Sequence, residues 1–316
     1  MVEQQTVKTS MLPDANQLLE KLNSEHIQDK YIYRGQTKRY EKHNTSNGYY
    51  GDGLKNEFLY PSDFRFVKDY TGLEPEFLDI STNIRNKGRD LRDNFELFII
   101  NKCLYGLRDN DAYYEWTRPY VEHFLNDAII QKITNTKDII MHDYHFSRMM
   151  WSLAQHYYIA TALVDITYDP NVSMWFAINK WNQAEDRPTE GTGVIYRMDK
   201  EKIDYILFLH SEKNKQIALD NHWATPPDYF LTDIRTIPAE FARRPQGQQG
   251  GSIYGFDNIT LLYQAIKFNA IEIFEFRHSN DVPENPIQRH HIMPNDDPFL
   301  KLVDEFRSEN LLNEVE

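Results

Sequence analysis

Cysteine is nearly missing: Cys103 is the single one in 316 residues. One thiol excludes an internal disulfide and any metal site built from several cysteines. It is compatible with a reducing compartment. No apolar run approaches the roughly 18 residues that a membrane-spanning helix needs. The opening MVEQQTVKTSMLPDANQ has no basic stretch followed by an apolar one, so no secretory leader is expected. Long basic runs are also lacking. Lys and Arg number 35 against 48 Asp and Glu, a formal charge of −13. A broad phosphate-binding surface is therefore not expected, although a local basic pocket or a basic partner protein fits. There is no internal repeat and no low-complexity tract. The expectation is a cytoplasmic protein with no membrane contact.

What is there is a folded, ring-rich chain. Hydrophobic residues make up 41%, with 20 Tyr and 18 Phe to build a core and clefts. PDANQLLEKLN (13–23) predicts a short helix: Asp14 and Gln17 have capping-box spacing, and Leu18, Leu19 and Leu22 share a face. YIYRGQ (31–36) reads as a strand, and EKHNTSNGYYGDG (41–53) as a loop. LYPSDFR (59–65) reads as a turn, and residues 66–135 as mainly helical. FSRMMWSLAQHYYIA (146–160) is the clearest helix. A strand is expected over 161–170, a helix over 171–181, and strands over 191–198 and 270–276. After Arg277 a polar, proline-rich stretch leads to a last helix, with Asp297 as its N-cap and Pro298 at its first position. Strands that flank a helical block, rather than alternate with single helices, favour α+β over a parallel doubly wound sheet. Residues 1–24 read as a helical extension, 25–278 as the main domain, and 279–316 as a wrapping segment with a helix.

Four clusters carry chemistry. In Tyr33-Arg34-Gly35-Gln36, an extended strand puts Arg34 on the same face as Ile32. A partly buried guanidinium needs an anion, either a structural carboxylate or a ligand phosphate. Gly35 lets a ligand or another strand come close to the backbone. In Gln155-His156-Tyr157, His156 flanks the apolar stripe of its helix, where a hydrogen-bonded structural role is the common one. In LVDITYDPNVSMWFA, Asp165 and Thr167 share a strand face. Asp165 then needs a partner, and Arg34 and His156 are the candidates. In RRPQGQQGGSIYGF, Gln248 and Gln249 carry amides suited to ribose hydroxyls or base edges, or else belong to a surface loop. Weaker candidates are metal ligation by His142 and His145 or by His290 and His291, and a carboxylate hydrolase using Asp165 and Glu240. No phosphate-binding Gly-Lys-Ser/Thr loop is present.

Taken in order, YIYRGQ, LYPSDFR, AQHYYIATALVDITYDPNVSMWFA and RRPQGQQGG resemble the motifs of the FRG domain, named for its (Phe/Tyr)-Arg-Gly signature. The resemblance runs over about residues 25–260. Tyr158, Ala160 and Ala162 stand where that family usually has Gly, Pro and Arg. The FRG pattern in turn looks like a distant relative of ADP-ribosyltransferases. That likeness implies a split antiparallel sheet core, interrupted by the helical insertion at 66–135 and closed by a C-terminal helix.

It also implies a function. Arg34 would hold the pyrophosphate of NAD, taken as substrate, with no metal required. Asp165 and Thr167 would stand for the second motif of those enzymes, and Gln248 would fall where their ribose-orienting Glu sits. On that likeness Arg34, His156, Asp165, Thr167 and Gln248 are the catalytic set. Tyr33, Gly35, Gln36, Gln155, Tyr157 and Gln249 join Arg34 in binding the dinucleotide. The implied activity is ADP-ribosyl transfer to a protein or nucleic acid, by a toxin or phage-defence effector with an antitoxin or defence partner, and with oligomers allowed. Gln248 cannot act as a base, so a module that binds a nucleotide or phage component without catalysis is the alternative.

Overall fold

The computed structural model describes residues 12–37, 144–157, 159, 161, 163–180, 187–188, 190–222, 228–237, 239, 242–256, 259–278 and 287–309. The helical block expected at 66–135, the loop at 41–53 and the turn at 59–65 lie outside the described residues, as do Glu240, Tyr158, Ala160 and Ala162.

Helix α1 (Ala15–Glu25) starts as its sequence predicts. Asp14 Oδ1 accepts from the Gln17 N–H at 2.8 Å, and the Gln17 side chain accepts in return from the Asp14 N–H. These bonds satisfy two of the donors that a helix start leaves open. Leu18, Leu19 and Leu22, spaced for one face, are all buried. Strand β1 (Tyr31–Gln36) follows. Helix α2 (Tyr144–His156) ends four residues before the predicted 160. The Tyr157 N–H bonds the Leu153 and Ala154 carbonyls, and the Ile159 N–H returns to the Ala154 carbonyl at 3.0 Å. That wrap uses up the last carbonyls and stops the helix. Strand β2 (Leu163–Thr167) leads into α3 (Pro170–Ile178), capped by Asp169 with Pro170 at its first position.

A short pair, β3 (Asn179–Lys180) and β4 (Arg187–Pro188), precedes β5 (Gly191–Asp199). Helix α4 (Lys200–Asp220) leaves β5 directly, with the Asp199 carboxylate accepting from the Lys202 N–H. Then come β6 (Phe230–Asp233), the single turn α5 (Arg244–Gly247), β7 (Gly250–Tyr254), α6 (Ile259–Lys267) and β8 (Ile271–His278). Two helices end the chain described: α7 (Arg289–Ile292), one turn long, and α8 (Phe299–Glu309). In the last, Asp297 Oδ1 accepts from the Phe299 N–H at 3.0 Å, a capping contact at the residue the sequence picks out.

The main sheet is antiparallel throughout, in the order β6-β7-β2-β1-β5-β8. The fold class is α+β, an open antiparallel sheet with helices on both faces. Alternation along β1 divides the core. Ile32 packs with Val164, Ile166 and Tyr196 beneath Ile203 of α4 and Leu261 of α6. Tyr33 packs on the other face with Ile195 and Phe276, beneath Leu22 of α1 and Met174 of α3.

Strands β1 and β2 are central yet barely joined. Their ladder is the pair Tyr33↔Thr167, whereas β1 runs against β5 from Tyr31↔Asp199 to Gln36↔Val194. Beyond Tyr33 the two middle strands part. The site forms at that opening.

Candidate functional site

Arg34 follows Ile32 on the same face of β1, as alternation requires, and is 8% exposed. Its Nη1 donates to the Asp165 main-chain oxygen at 2.7 Å. A side chain thus ties β1 to β2 where the backbone ladder stops. Asp165 lies between Val164 and Ile166, which belong to the face of α4 and α6, so its own side chain points to the opposite face, toward α2. There Gln155 Nε2 donates to Asp165 Oδ2 at 3.1 Å. Gln155 Oε1 accepts from the Thr161 hydroxyl at 2.6 Å, which in turn accepts from the Leu163 N–H. The end of α2 and the start of β2 are therefore locked together. Ser152 and Ser252, hydroxyl to hydroxyl at 2.7 Å, pin the same helix to β7.

His156 sits deeper, 5% exposed. Its Nδ1 is 2.6 Å from Gln248 Oε1 and its Nε2 is 3.1 Å from the Gly251 carbonyl oxygen. Gly250 makes this fit: a Cβ there would stand 2.8 Å from the His156 ring. Asp165 Oδ1 lies 3.8 Å from His156 Nε2 and accepts no hydrogen bond. Gln248, also buried, donates from Nε2 to the Ile292 carbonyl at 3.0 Å. The Thr167 hydroxyl donates to the Gln248 main-chain oxygen at 2.7 Å and accepts from the Asp169 N–H.

So Arg34, Gln155, His156, Asp165, Thr167 and Gln248 form one connected set, from three regions far apart in the sequence. Of the remaining predicted residues, Gln36 shares the face of Arg34 on β1, and the others are engaged elsewhere. The Tyr33 hydroxyl meets His26 Nδ1 at 3.0 Å under α1, where burial pushes it well above the usual phenol range. Gly35 makes room, but for α3: a Cβ would fall 1.8 Å from the Ser173 carbonyl oxygen. The close approach expected of a ligand at Gly35 is that of a helix backbone instead. Gln36 is buried at the end of β1, and its Oε1 has no hydrogen bond. Gln249 turns back, its Nε2 donating to the Gln246 carbonyl, while its main-chain oxygen takes the Tyr168 N–H at 2.8 Å.

Tyr157 is fully buried and serves the C-terminal segment. Its hydroxyl donates to Asp297 Oδ2 in a short bond, and Phe299 packs on its ring. Burial, reinforced by the Asp297 carboxylate, raises the Tyr157 hydroxyl far above its ordinary value. Arg244 lies over the same ring, 4.7 Å from its centre, and reaches the His156 carbonyl with Nη1 at 3.3 Å. Its N–H bonds Asp297 Oδ2. The Arg244–Tyr157–Asp297 clamp and the Ile292 carbonyl are the contacts that sequence reasoning missed. The adjacent arginines of RRPQGQQGG were the available signal.

Among the described residues, no group of three or more His, Cys, Asp or Glu could hold a metal ion. The His290 and His291 rings lie 4.0 Å apart, but His291 Nδ1 accepts from the Gln288 N–H. Glu272 pairs with Arg197. No helix among the described residues is long and apolar enough to cross a membrane. Two clefts lined by described residues lie away from the set. One, about 300 Å³, runs between α4 and β6 past Arg148, Phe208, Lys215 and Asp228. The other, about 460 Å³, opens beside Asp14, Gly191 and Arg277.

Residues 104–186 match the family model of the FRG domain. An FRG domain is thus present over that stretch. The matched stretch contains α2, β2 and α3, and with them Gln155, His156, Asp165 and Thr167. Arg34 and Gln248 lie outside it in sequence and are brought to it by β1 and by the turn before β7. No curated protein and no solved structure matches the chain.

Proposed function

We propose that this FRG-domain protein binds an NAD-type dinucleotide at the opening between β1 and β2, and holds it without transferring it. The observation that carries this reading is the fate of Gln248. Its carbonyl oxygen faces His156 and its amide nitrogen donates to the Ile292 carbonyl, so both ends are engaged within the protein. The residue that the ADP-ribosyltransferase likeness sets roughly where those enzymes have their ribose-orienting Glu has neither a carboxylate nor a free amide. The Thr167 hydroxyl is likewise engaged. Support for a phosphate-bearing ligand comes from Arg34, whose planar guanidinium is suited to pyrophosphate.

A second reading is favoured by one specific observation. Asp165 is a carboxylate 32% exposed, with His156 behind it. An oriented carboxylate of this kind would align a ribose while the nicotinamide–ribose bond breaks, through electrostatic positioning rather than proton transfer. The chain would then be an ADP-ribosyltransferase-like toxin or phage-defence effector, with a protein or nucleic-acid target. Incubation of the full chain with NAD separates the two. A rise in melting temperature without release of nicotinamide supports binding alone. Release that Arg34→Lys abolishes supports transfer. Neither a thermal shift nor release, with or without cell lysate, overturns both.

A further inference from the structure

Within the described set, hydrogen-bonding capacity is distributed unevenly. Gln248 is engaged at both ends of its amide. Thr167 donates its one hydrogen to Gln248 and accepts from Asp169. His156 is enclosed. Asp165 alone combines exposure with unused accepting capacity. Oδ1 has no hydrogen bond. Oδ2 takes one hydrogen, from Gln155, and a carboxylate oxygen has lone pairs for two. The side chain is 32% exposed, and since Oδ1 is buried, that exposure falls on the rest of it.

The ring behind it is held on both sides. Gln248 Nε2 must be the donor to the Ile292 carbonyl, since turning the amide over would set two oxygens 3.0 Å apart. That fixes Gln248 Oε1 toward His156 Nδ1. The Gly251 carbonyl faces Nε2. Both ring nitrogens are thus held, which fixes the plane of the ring. The Asp165 carboxylate lies 3.8 Å from its Nε2. Arg244 reaches the His156 main-chain oxygen.

We propose that Asp165, and not Gln248, is the residue that accepts hydrogen bonds from the ribose hydroxyls of the bound dinucleotide, and that His156 and Gln155 are its positioning residues. The proposal rests on the dinucleotide reading above. Asp165 is an acceptor only, so it selects a hydroxyl-bearing sugar over a bare phosphate. His156 stands behind it, 3.8 Å from Oδ1, and Gln155 fixes one oxygen by hydrogen bond.

Calorimetric titration of the full chain with NAD, and separately with inorganic pyrophosphate, tests this. Asp165→Asn should weaken NAD binding about tenfold or more, the range of a hydrogen bond to a charged group, and leave pyrophosphate binding unchanged. A purely structural loss would weaken both ligands together and overturns the proposal. Gln248→Glu, which installs the carboxylate that the ADP-ribosyltransferase likeness asks for, should not tighten NAD binding; a tightening also overturns it. Failure of the wild type to bind NAD overturns the dinucleotide reading and this proposal with it, whereas binding unaffected by Asp165→Asn overturns this proposal alone. Gln155→Ala should also weaken NAD binding and leave pyrophosphate binding unchanged; an equal loss of both overturns the positioning role.

Discussion

Arg34 gives its Nη1 hydrogen to the main-chain oxygen of Asp165 at 2.7 Å, not to the Asp165 carboxylate. The carboxylate lies on the other face, with Gln155 and His156. One aspartate thus joins two halves of the site, through its backbone on one side and its side chain on the other. Arg34 should accordingly matter for stability as well as binding. Arg34→Ala leaves the Asp165 carbonyl short of a donor in the gap between β1 and β2, at a cost of about 1–3 kcal/mol. Urea unfolding should show a lower midpoint with little change in slope. Arg34→Lys, a point charge without the planar fork, should recover only part of the loss.

Gly35 is fixed by packing rather than by a ligand. The Ser173 carbonyl occupies the place of its missing side chain. Gly35→Ala forces β1 and α3 apart, and backbone cannot yield as a flexible side chain does. A loss of about 3 kcal/mol or more is expected, read as poor soluble expression or a melting temperature lowered by many degrees. Unchanged melting would contradict the contact.

The C-terminal segment should be held by Tyr157. Tyr157→Phe removes the donor to Asp297, leaving a buried carboxylate with one hydrogen bond fewer. A cost of about 1–3 kcal/mol is expected. Limited proteolysis should then release fragments lacking the residues after 287 sooner than in the wild type.

Acid should weaken two clamps. The Arg197 guanidinium holds the Glu25 carboxyl below its ordinary value, and Arg235 does the same for Asp29. A carboxyl depressed in the folded state adds stability above its unfolded value, about 4, and that stability is lost as pH falls through the folded value. Asp204 runs the other way: burial raises its carboxyl, so its protonation relieves a cost as pH falls toward its raised value. The urea midpoint should therefore hold or rise slightly on mild acidification and fall below about pH 4. Arg197→Met should flatten the low-pH part of that profile. An unchanged profile in the variant would show that Glu25 draws nothing from Arg197.

The parts of the fold legible in the sequence were those with local signals. The α1 capping box, β1, β2, the Asp169–Pro170 start of α3, β5 and β8 all carry them. Helix α4 was not foreseen. Its buried Ile203, Ile206 and Leu207 are matched by exposed Tyr205, Phe208, Leu209 and Leu219, so apolar residues surround the helix and no period stands out. Helix α6 and strand β6 were passed over as well. In the site, residue types indicated that Arg34, Asp165 and His156 need partners, since buried charge does. Which partners was set by tertiary geometry. The Gly251 and Ile292 carbonyls that engage His156 and Gln248 carry no side-chain signal at all. Tyr33 and Gly35 adjoin Arg34 along a strand, where neighbours face opposite sides, and Tyr157, just past the end of α2, is taken up by Asp297 and Phe299.

A crystal of the full chain soaked with NAD tests the central claim most directly. The account predicts density for the dinucleotide at the opening of β1 and β2, with ribose hydroxyls within hydrogen-bond distance of Asp165 and the Gln248 amide still joined to His156 and Ile292. Dinucleotide density confined to another cleft, such as the one between α4 and β6, or an empty opening at saturating NAD, would contradict it.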